Sequence, residues 1–507
     1  MTRARRALGV SAVLATTALL AGCFAPGPAE TTSTPAPQSV DAALEPYYGQ
    51  VLVWDDCGDD AQCTEATVPL DWDDPTGETA SIALVRHPAE QQPALGSLLV
   101  NPGGPGASGV DFIRDSVDYA VDDELAARYD VVGFDPRGVG ASTAVSCLDD
   151  AGLDSYLYDI TPGERGSDEW IAAQRTAAAA FADACAQRSG ALLGEVGTPN
   201  AARDLDVLRA ALGDESLNYL GYSYGTFLGA TYAGLFPDRV GRLVLDGAID
   251  PAATSLDVVR EQAKGFESAL RAYLADCLGT AACPFTGSVE DGMAQVRAML
   301  ERVDASPIRA ADGRVLGSST LFTAIVYPLY DSGAWGALSE MLAEVRKGAA
   351  ETAFQYADAY NGRDADGGYR DNATEAFLAI NCVDYSYTGD TAVMRADAAA
   401  LEEAAPTIGR YMAYGDILCS EWPAAFEGSR APIAAEGSAP ILVVGTTNDP
   451  ATPYVWAEAL AGQLAEGRLL TYTGEGHTAY NKSNACVNDT VDAYLLEGVV
   501  PEEDPQC

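Results

Sequence analysis

The chain predicts an α/β protein: a mostly parallel sheet, helices on both faces, and a second, helical block let into the sheet's sequence. Two observations carry this. Between residues 80 and 247 short apolar runs alternate with helical patterns, the rhythm of strand–helix–strand units. From 251 to 430 the strand signal stops and helical periodicity takes over, and then strands return after 440.

Strands are expected at 81–86, 98–101, 131–134, 217–220 and 243–245, with helices at 201–212 and 226–236 between them. The helical stretch reads as segments 255–277, 289–303, 319–327, 333–347, 372–380 and 391–404. Strands at 441–444 and 469–472 complete the sheet, and a last helix falls near 491–496. The economical arrangement is a core of 45–250 plus 431–507, with 251–430 inserted as a cap over the strand ends, where open α/β sheets bind ligands.

The amino terminus reads as an export signal. Arg3, Arg5 and Arg6 precede an apolar stretch, 7–20, too short to span a bilayer. Leu20-Ala21-Gly22-Cys23 resembles the lipobox of bacterial lipoproteins, which implies cleavage after 22 and a lipid on Cys23. Residues 23–44, rich in Pro, Thr, Ala and Ser, read as a flexible tether. The expectation is an exported protein at the cell envelope, held on the outer face of the cytoplasmic membrane by lipid alone, or secreted.

Cysteine usage agrees with export. Eleven cysteines less Cys23 leave ten, an even number in an oxidising compartment. Local pairing gives Cys57–Cys63, Cys147–Cys185, Cys277–Cys283, Cys382–Cys419 and Cys486–Cys507, one connectivity among many. Two histidines and no Cys-x-x-Cys leave no zinc ligand set, so neither metal nor cofactor is expected. A net charge of −44 disfavours nucleic acid as a partner and favours cationic ligands, although an acidic surface also serves solubility. A monomer is expected.

Chemistry enters with Gly221-Tyr222-Ser223-Tyr224-Gly225. A strand leads in and a helix leads out, the setting of a nucleophile elbow. A serine needs a base, and the chain offers only His87 and His477. His87 ends an early strand before Pro88, far from any catalytic pattern, and reads as structural. His477 sits in a glycine-rich loop, 473–478, directly after the last strand. Asp449 follows the strand 441–444 and stands 28 residues before His477, which completes the order Ser, Asp, His. Thr452 caps the following helix or steadies the acid loop. Asn101-Pro102-Gly103-Gly104-Pro105-Gly106 follows a strand and offers oxyanion donors. Gly104 is the first choice and Gly103 the second, with the Tyr224 N–H as partner donor. Asp135 and Arg137 read as a pair that holds loops rather than as chemistry.

These motifs resemble a known group. Residues 101–106 are similar to the His-Gly-Gly-Pro-Gly box of prolyl-aminopeptidase-type α/β-hydrolases, with Asn101-Pro102 where that group has His-Gly. Residues 135–142 resemble its Asp-x-Arg-Gly-x-Gly-x-Ser segment. With Gly-Tyr-Ser-Tyr-Gly, residues 447–453 and 474–477, the likeness extends over most of 45–507. It is nearest to exported actinobacterial tripeptidyl aminopeptidases and related mycobacterial envelope serine hydrolases, whose distinctive C-terminal region is matched by 419–423. The resemblance implies an α/β-hydrolase fold with a helical cap and a serine peptidase that takes a peptide with a free N-terminus and releases a di- or tripeptide. An aminopeptidase needs a carboxylate to read the free amine, and Asp384 and Glu421 are the candidates. A carboxylesterase or lipase on the same machinery, and a non-catalytic module on the same fold, are the alternatives.

Overall fold

In a computed structural model of the protein, residues 31–424, 428 and 430–507 are described. The expected signal segment 1–22, the expected lipidation site Cys23 and the start of the expected tether, 24–30, lie outside them. A ten-stranded sheet forms the centre, built from β1 (Thr31–Thr32), β2 (Val53–Gly58), β3 (Ala61–Pro69), β4 (Thr79–His87), β5 (Ser97–Asn101), β6 (Asp130–Phe134), β7 (Leu217–Tyr222), β8 (Val240–Asp246), β11 (Ile441–Asn448) and β12 (Gly467–Glu475). Their order is β1-β2-β3-β4-β6-β5-β7-β8-β11-β12. From β6 to β12 every pairing is parallel, and the β1–β4 end is antiparallel. The remaining strands, β9 (Ile308–Arg309) and β10 (Val315–Leu316), pair only with each other.

The central strands are apolar on both sides because both faces are covered. In β5, Leu98 and Val100 enter one core with Ile113, Val131 and Val244, while Leu99 enters the other with Val132, Leu228 and Leu243. The chain crosses β11 beside β8 in the register Ile441 to Leu243. The strands on either side of the 194-residue gap between Asp246 and Ile441 are therefore direct neighbours, and the intervening helices are an insertion between two adjacent strands inside the sheet.

Those helices have their own core, in which Phe266, Leu270, Val296, Leu300, Leu321 and Ile325 are buried together. Two of them match the sequence reading to the residue, Ser255–Cys277 and Thr391–Ala404. The sequence reading left 150–195 unassigned, but it carries the helices Asp150–Tyr158 and Asp168–Ser189, started by Asp149 and Ser167. The two helices divide: Asp150–Tyr158 reaches the core of the cap helices, whereas Asp168–Ser189 buries Trp170, Ile171 and Phe181 in the core against the sheet. Tyr158 sits in the cap core, Arg363 holds Asp154 at 2.6 and 2.8 Å, and the Trp170 and Tyr414 rings lie 5.3 Å apart. The helix Asp150–Tyr158 thus packs against the inserted helices from the core side.

The expected tether is not loose throughout. Over 31–44 it lies on the core: β1 pairs with β2, the Ala36 N–H donates to the Ala210 carbonyl, and Ala36 is buried. Apolar side chains within the Pro/Thr/Ala composition supply that contact, a tertiary effect that composition does not reveal. The described cysteines form five disulfides, Cys57–Cys63, Cys147–Cys185, Cys277–Cys283, Cys382–Cys419 and Cys486–Cys507.

Candidate active site

β7 delivers Ser223 into a turn that few residues adopt, with φ 54° and ψ −121°, and the helix Tyr224–Leu235 starts at the next residue. A non-glycine residue held at positive φ is strained, and surrounding contacts must hold it there. They do. The Ser223 N–H donates to the Asp246 carbonyl at the end of β8, 2.9 Å away. The glycines on each side leave room for the turn: a Cβ at Gly221 would lie 2.5 Å from the Gly225 carbonyl oxygen, and one at Gly225 would lie 2.9 Å from that of Asn101.

The 101–106 loop runs alongside. Gly103 abuts the elbow so closely that a Cβ there would sit 2.6 Å from the Tyr222 carbonyl oxygen and 2.8 Å from the Ser223 Cβ. Its own N–H donates to the Asn101 side-chain oxygen at 3.0 Å. Gly104, at φ 105°, makes no such bond, and neither does the Tyr224 N–H at the head of the helix, among the described residues. Asn101 thus has a local function that explains its place in the motif. It takes up the Gly103 donor, and Gly104 is left as the candidate donor on this loop.

His477 Nδ1 lies 2.9 Å from each carboxylate oxygen of Asp449. Asp449 is buried and accepts further bonds from the N–H groups of Ala451, Thr452 and Thr478 and from the Thr452 hydroxyl. Thr452 therefore steadies the acid loop. A carboxylate so enclosed by donors is fixed in orientation.

One residue absent from the sequence reading ties the elbow to the histidine loop. Asp246 gives its carbonyl to Ser223 and its carboxylate to the N–H groups of Ala479 and Tyr480, at 2.8–3.1 Å. It is completely buried, and burial pushes its carboxyl up to about 6. Gly247 follows, and a Cβ there would lie 3.3 Å from the His477 ring and 3.0 Å from the Thr452 hydroxyl. The imidazole thus packs against the same strand end that holds the serine. From the cap, the Tyr330 carbonyl accepts the His477 N–H at 2.8 Å, and the Tyr330 ring stands edge-on to the imidazole at 5.3 Å.

His87 lies elsewhere. It pairs with Val131 at the start of β6, the opposite end of the sheet, and its Nε2 contacts the Ile113 carbonyl. Asp135 and Arg137 do hold loops, but not by pairing with each other. Asp135 accepts from Ser108, Val110 and Ala141, whereas Arg137 is buried against Asp204 and the carbonyls of Pro69, Leu70 and Glu195. Their sequence spacing suggested a pair, but the turn at 136 sends them to opposite sides.

The two amine-reading candidates are both engaged with protein groups. The oxygens of Asp384 accept from the Thr198 N–H at 2.8 Å and the Thr198 hydroxyl at 2.5 Å, and that hydroxyl meets the Tyr224 hydroxyl at 2.5 Å. Burial raises the Asp384 carboxyl to about 6. Glu421 is paired with Arg175 at 2.9 Å. Asp384 therefore braces the residue after the serine, and neither carboxylate lines the cavity of about 340 Å³ that lies under the cap. A larger cavity, of about 510 Å³, has walls that include Tyr158, Arg165, Glu301 and Arg410, and none of its walls belongs to the loops described above.

A strained serine at a strand–helix turn, a histidine on a buried carboxylate and free N–H groups beside the serine, on a parallel sheet of this topology, define a serine hydrolase of the α/β-hydrolase fold. Residues 405–507 match the family model described as TAP-like protein. The chain is 36% identical to serine protease Hip1 of Mycobacterium tuberculosis over 91% of this chain and 92% of that one. Carboxylesterase B of the same organism is 36% identical over 98% of both chains. Tripeptidyl aminopeptidase of Streptomyces lividans is 32% identical over 90% of this chain and 86% of its own. The chain belongs to this family of α/β-hydrolase serine peptidases, in which Hip1 and the tripeptidyl aminopeptidases stand.

Proposed function

We propose that the protein is an exported aminopeptidase that releases short N-terminal fragments, di- or tripeptides, through an acyl-enzyme on Ser223. The observation that carries the reading is the His477–Asp449 pair, bonded at 2.9 Å and packed against the strand end that holds Ser223. The Ser223 hydroxyl attacks the scissile carbonyl carbon as His477 Nε2 takes its proton. The carbonyl oxygen, now negative, is held by the N–H groups of Gly104 and Tyr224. The C–N bond breaks, His477 returns the proton to the leaving amine, and water then attacks the ester by the same route in reverse. Asp449 keeps the imidazole in the tautomer that leaves Nε2 free and stabilises the imidazolium. The names of Hip1 and tripeptidyl aminopeptidase favour peptides as substrates.

The five disulfides support an oxidising compartment. With the apolar leader and Cys23 they support a lipid-anchored or secreted protein, with 45–250 and 431–507 as core and 251–430 as cap. The match to carboxylesterase B over nearly the whole chain favours a second reading, in which the same residues cleave esters.

A panel of chromogenic mono-, di- and tripeptide anilides beside a simple ester tests both readings. Peptide turnover that disappears in Ser223→Ala, together with fluorophosphonate labelling lost in the same variant, is expected. Good ester turnover without any anilide cleavage would instead establish the esterase.

A further inference from the structure

We propose that Asp416 binds the α-ammonium group of the substrate and so makes the enzyme an exopeptidase; this rests on the aminopeptidase reading above. The cavity of about 340 Å³ is of a size that holds a small ligand, a range of roughly 300–1,000 Å³. Its walls come from five stretches of chain, and two of them touch catalytic loops. In the helix Ser255–Cys277, Gln262 lines the cavity and donates to the Ala451 carbonyl, two residues beyond Asp449. In the helix Ala373–Asp384, Phe377 lines it, and the Phe377 N would be 2.9 Å from a Cβ on Gly106, in the oxyanion loop. Tyr385, also in the wall, follows Asp384, which reaches the Tyr224 hydroxyl through Thr198. The cavity is therefore bounded by elements that touch the acid loop, the oxyanion loop and the elbow.

Asp416 is the only charged residue among the described residues that line it. The rest of the wall is apolar, aromatic or neutral. One carboxylate oxygen accepts the Thr388 N–H at 3.0 Å, and among the described residues no Lys, Arg or His forms an ion pair with this carboxylate. The charge that bears on it most, Asp397, is of the same sign, and burial with that neighbour raises its carboxyl above the ordinary range. Asp416 is half-buried, and a carboxylate in such a position pairs favourably with an ammonium brought beside it. Asp416 accepts only from the N–H groups of Thr388 and of its own residue and sits in the wall of this cavity, within which a primary ammonium would be its ion-pair partner. The Cys382–Cys419 disulfide ties its short helix, Asp416–Ser420, to the helix that carries Phe377, so the carboxylate keeps a set distance from the oxyanion loop. Such a fixed distance would limit how many residues fit between the amine and the scissile bond.

The test uses the full-length exported protein with trialanine p-nitroanilide, its N-acetylated form and p-nitrophenyl acetate. Asp416→Asn keeps an acceptor for Thr388 and removes the charge. It should raise KM for the free-amine anilide by about 10–100-fold, as expected for losing a charge-assisted hydrogen bond, with kcat little changed. Its preference over the acetylated anilide should disappear, and acetate ester turnover should remain as in the unmodified enzyme, which shows that the site is intact. Asp416→Glu should retain part of the preference, and it serves as the second variant if the first does not fold. An unchanged KM for the free amine, an equal loss on both anilides, or an unmodified enzyme indifferent to acetylation would each overturn the assignment. Ester turnover without cleavage of either anilide by the unmodified enzyme would overturn the aminopeptidase reading itself.

Discussion

Ser223 shows how a single strained residue is paid for by its surroundings. Its positive φ is maintained by the hydrogen bond to Asp246 and by three glycines packed so tightly that none tolerates a side chain. Gly103 gives the clearest test, because its φ of 100° and its contact with the elbow both forbid a Cβ. Gly103→Ala must push the loop off the serine and so move the Gly104 N–H. Losing one such donor costs about 10²–10³ in kcat. The variant should therefore lose at least about 100-fold in ester turnover while its circular dichroism stays native. Turnover within a few-fold of the unmodified enzyme would show that the loop supplies no donor. Asp449→Asn should act differently: it leaves the shape intact and disturbs the tautomer, which in serine peptidases costs roughly 10⁴ in kcat.

Among the elements, the cap helix Ser318–Leu329 matters most to catalysis, because it ends at Tyr330. The Tyr330 carbonyl holds the His477 N–H and its ring bounds the imidazole. Tyr330→Ala keeps the carbonyl but opens the ring's space, so the imidazole gains freedom. Misplacement on the order of 1 Å costs about 100-fold, and a fall of about 10–100-fold in kcat on the acetate ester is expected, with KM nearly unchanged. A KM effect alone would place Tyr330 in binding instead. None of this was legible in the sequence, since a tyrosine at a helix end carries no signal of which loop it will meet. The elbow, the acid and the histidine were legible because each follows a strand and carries its own local pattern. Asp246 was half legible: a carboxylate closing an apolar strand, Leu243-Val244-Leu245, is out of place unless something there uses it. The strands β2 and β3 went unread because Asp55, Asp56 and the Cys57–Cys63 hairpin interrupt the apolar alternation. Residues 150–195 were missed because the alanine-rich run 177–180 gives little amphipathic contrast.

At the scale of the whole molecule, 74 acidic residues face 30 basic ones, and several carboxylates are fully buried. Burial raises Asp246 and Asp384 to about 6 and Asp492 to about 7. A group whose folded pKa lies above its unfolded value gives stability that is complete below the unfolded pKa, near 4, and is lost as pH rises through the folded one. Each of the two fully buried groups therefore withholds about 3 kcal/mol at neutral pH relative to pH 4. The carboxylates held low, such as Asp257 and Asp154, act in the opposite sense but only as pH falls below the ordinary carboxylate range. Between about pH 7.5 and 5 the buried group should dominate, and Tm should rise by a few degrees on acidification. Surface repulsion at −44 would give the same direction, but salt screens it with a Debye length of about 3 Å at 1 M, and buried groups are screened far less. The rise should therefore persist in 1 M NaCl. A rise that vanishes in salt would assign it to the surface, and a Tm that falls from pH 7.5 to 5 would show that these carboxylates are ionised at no cost to the fold.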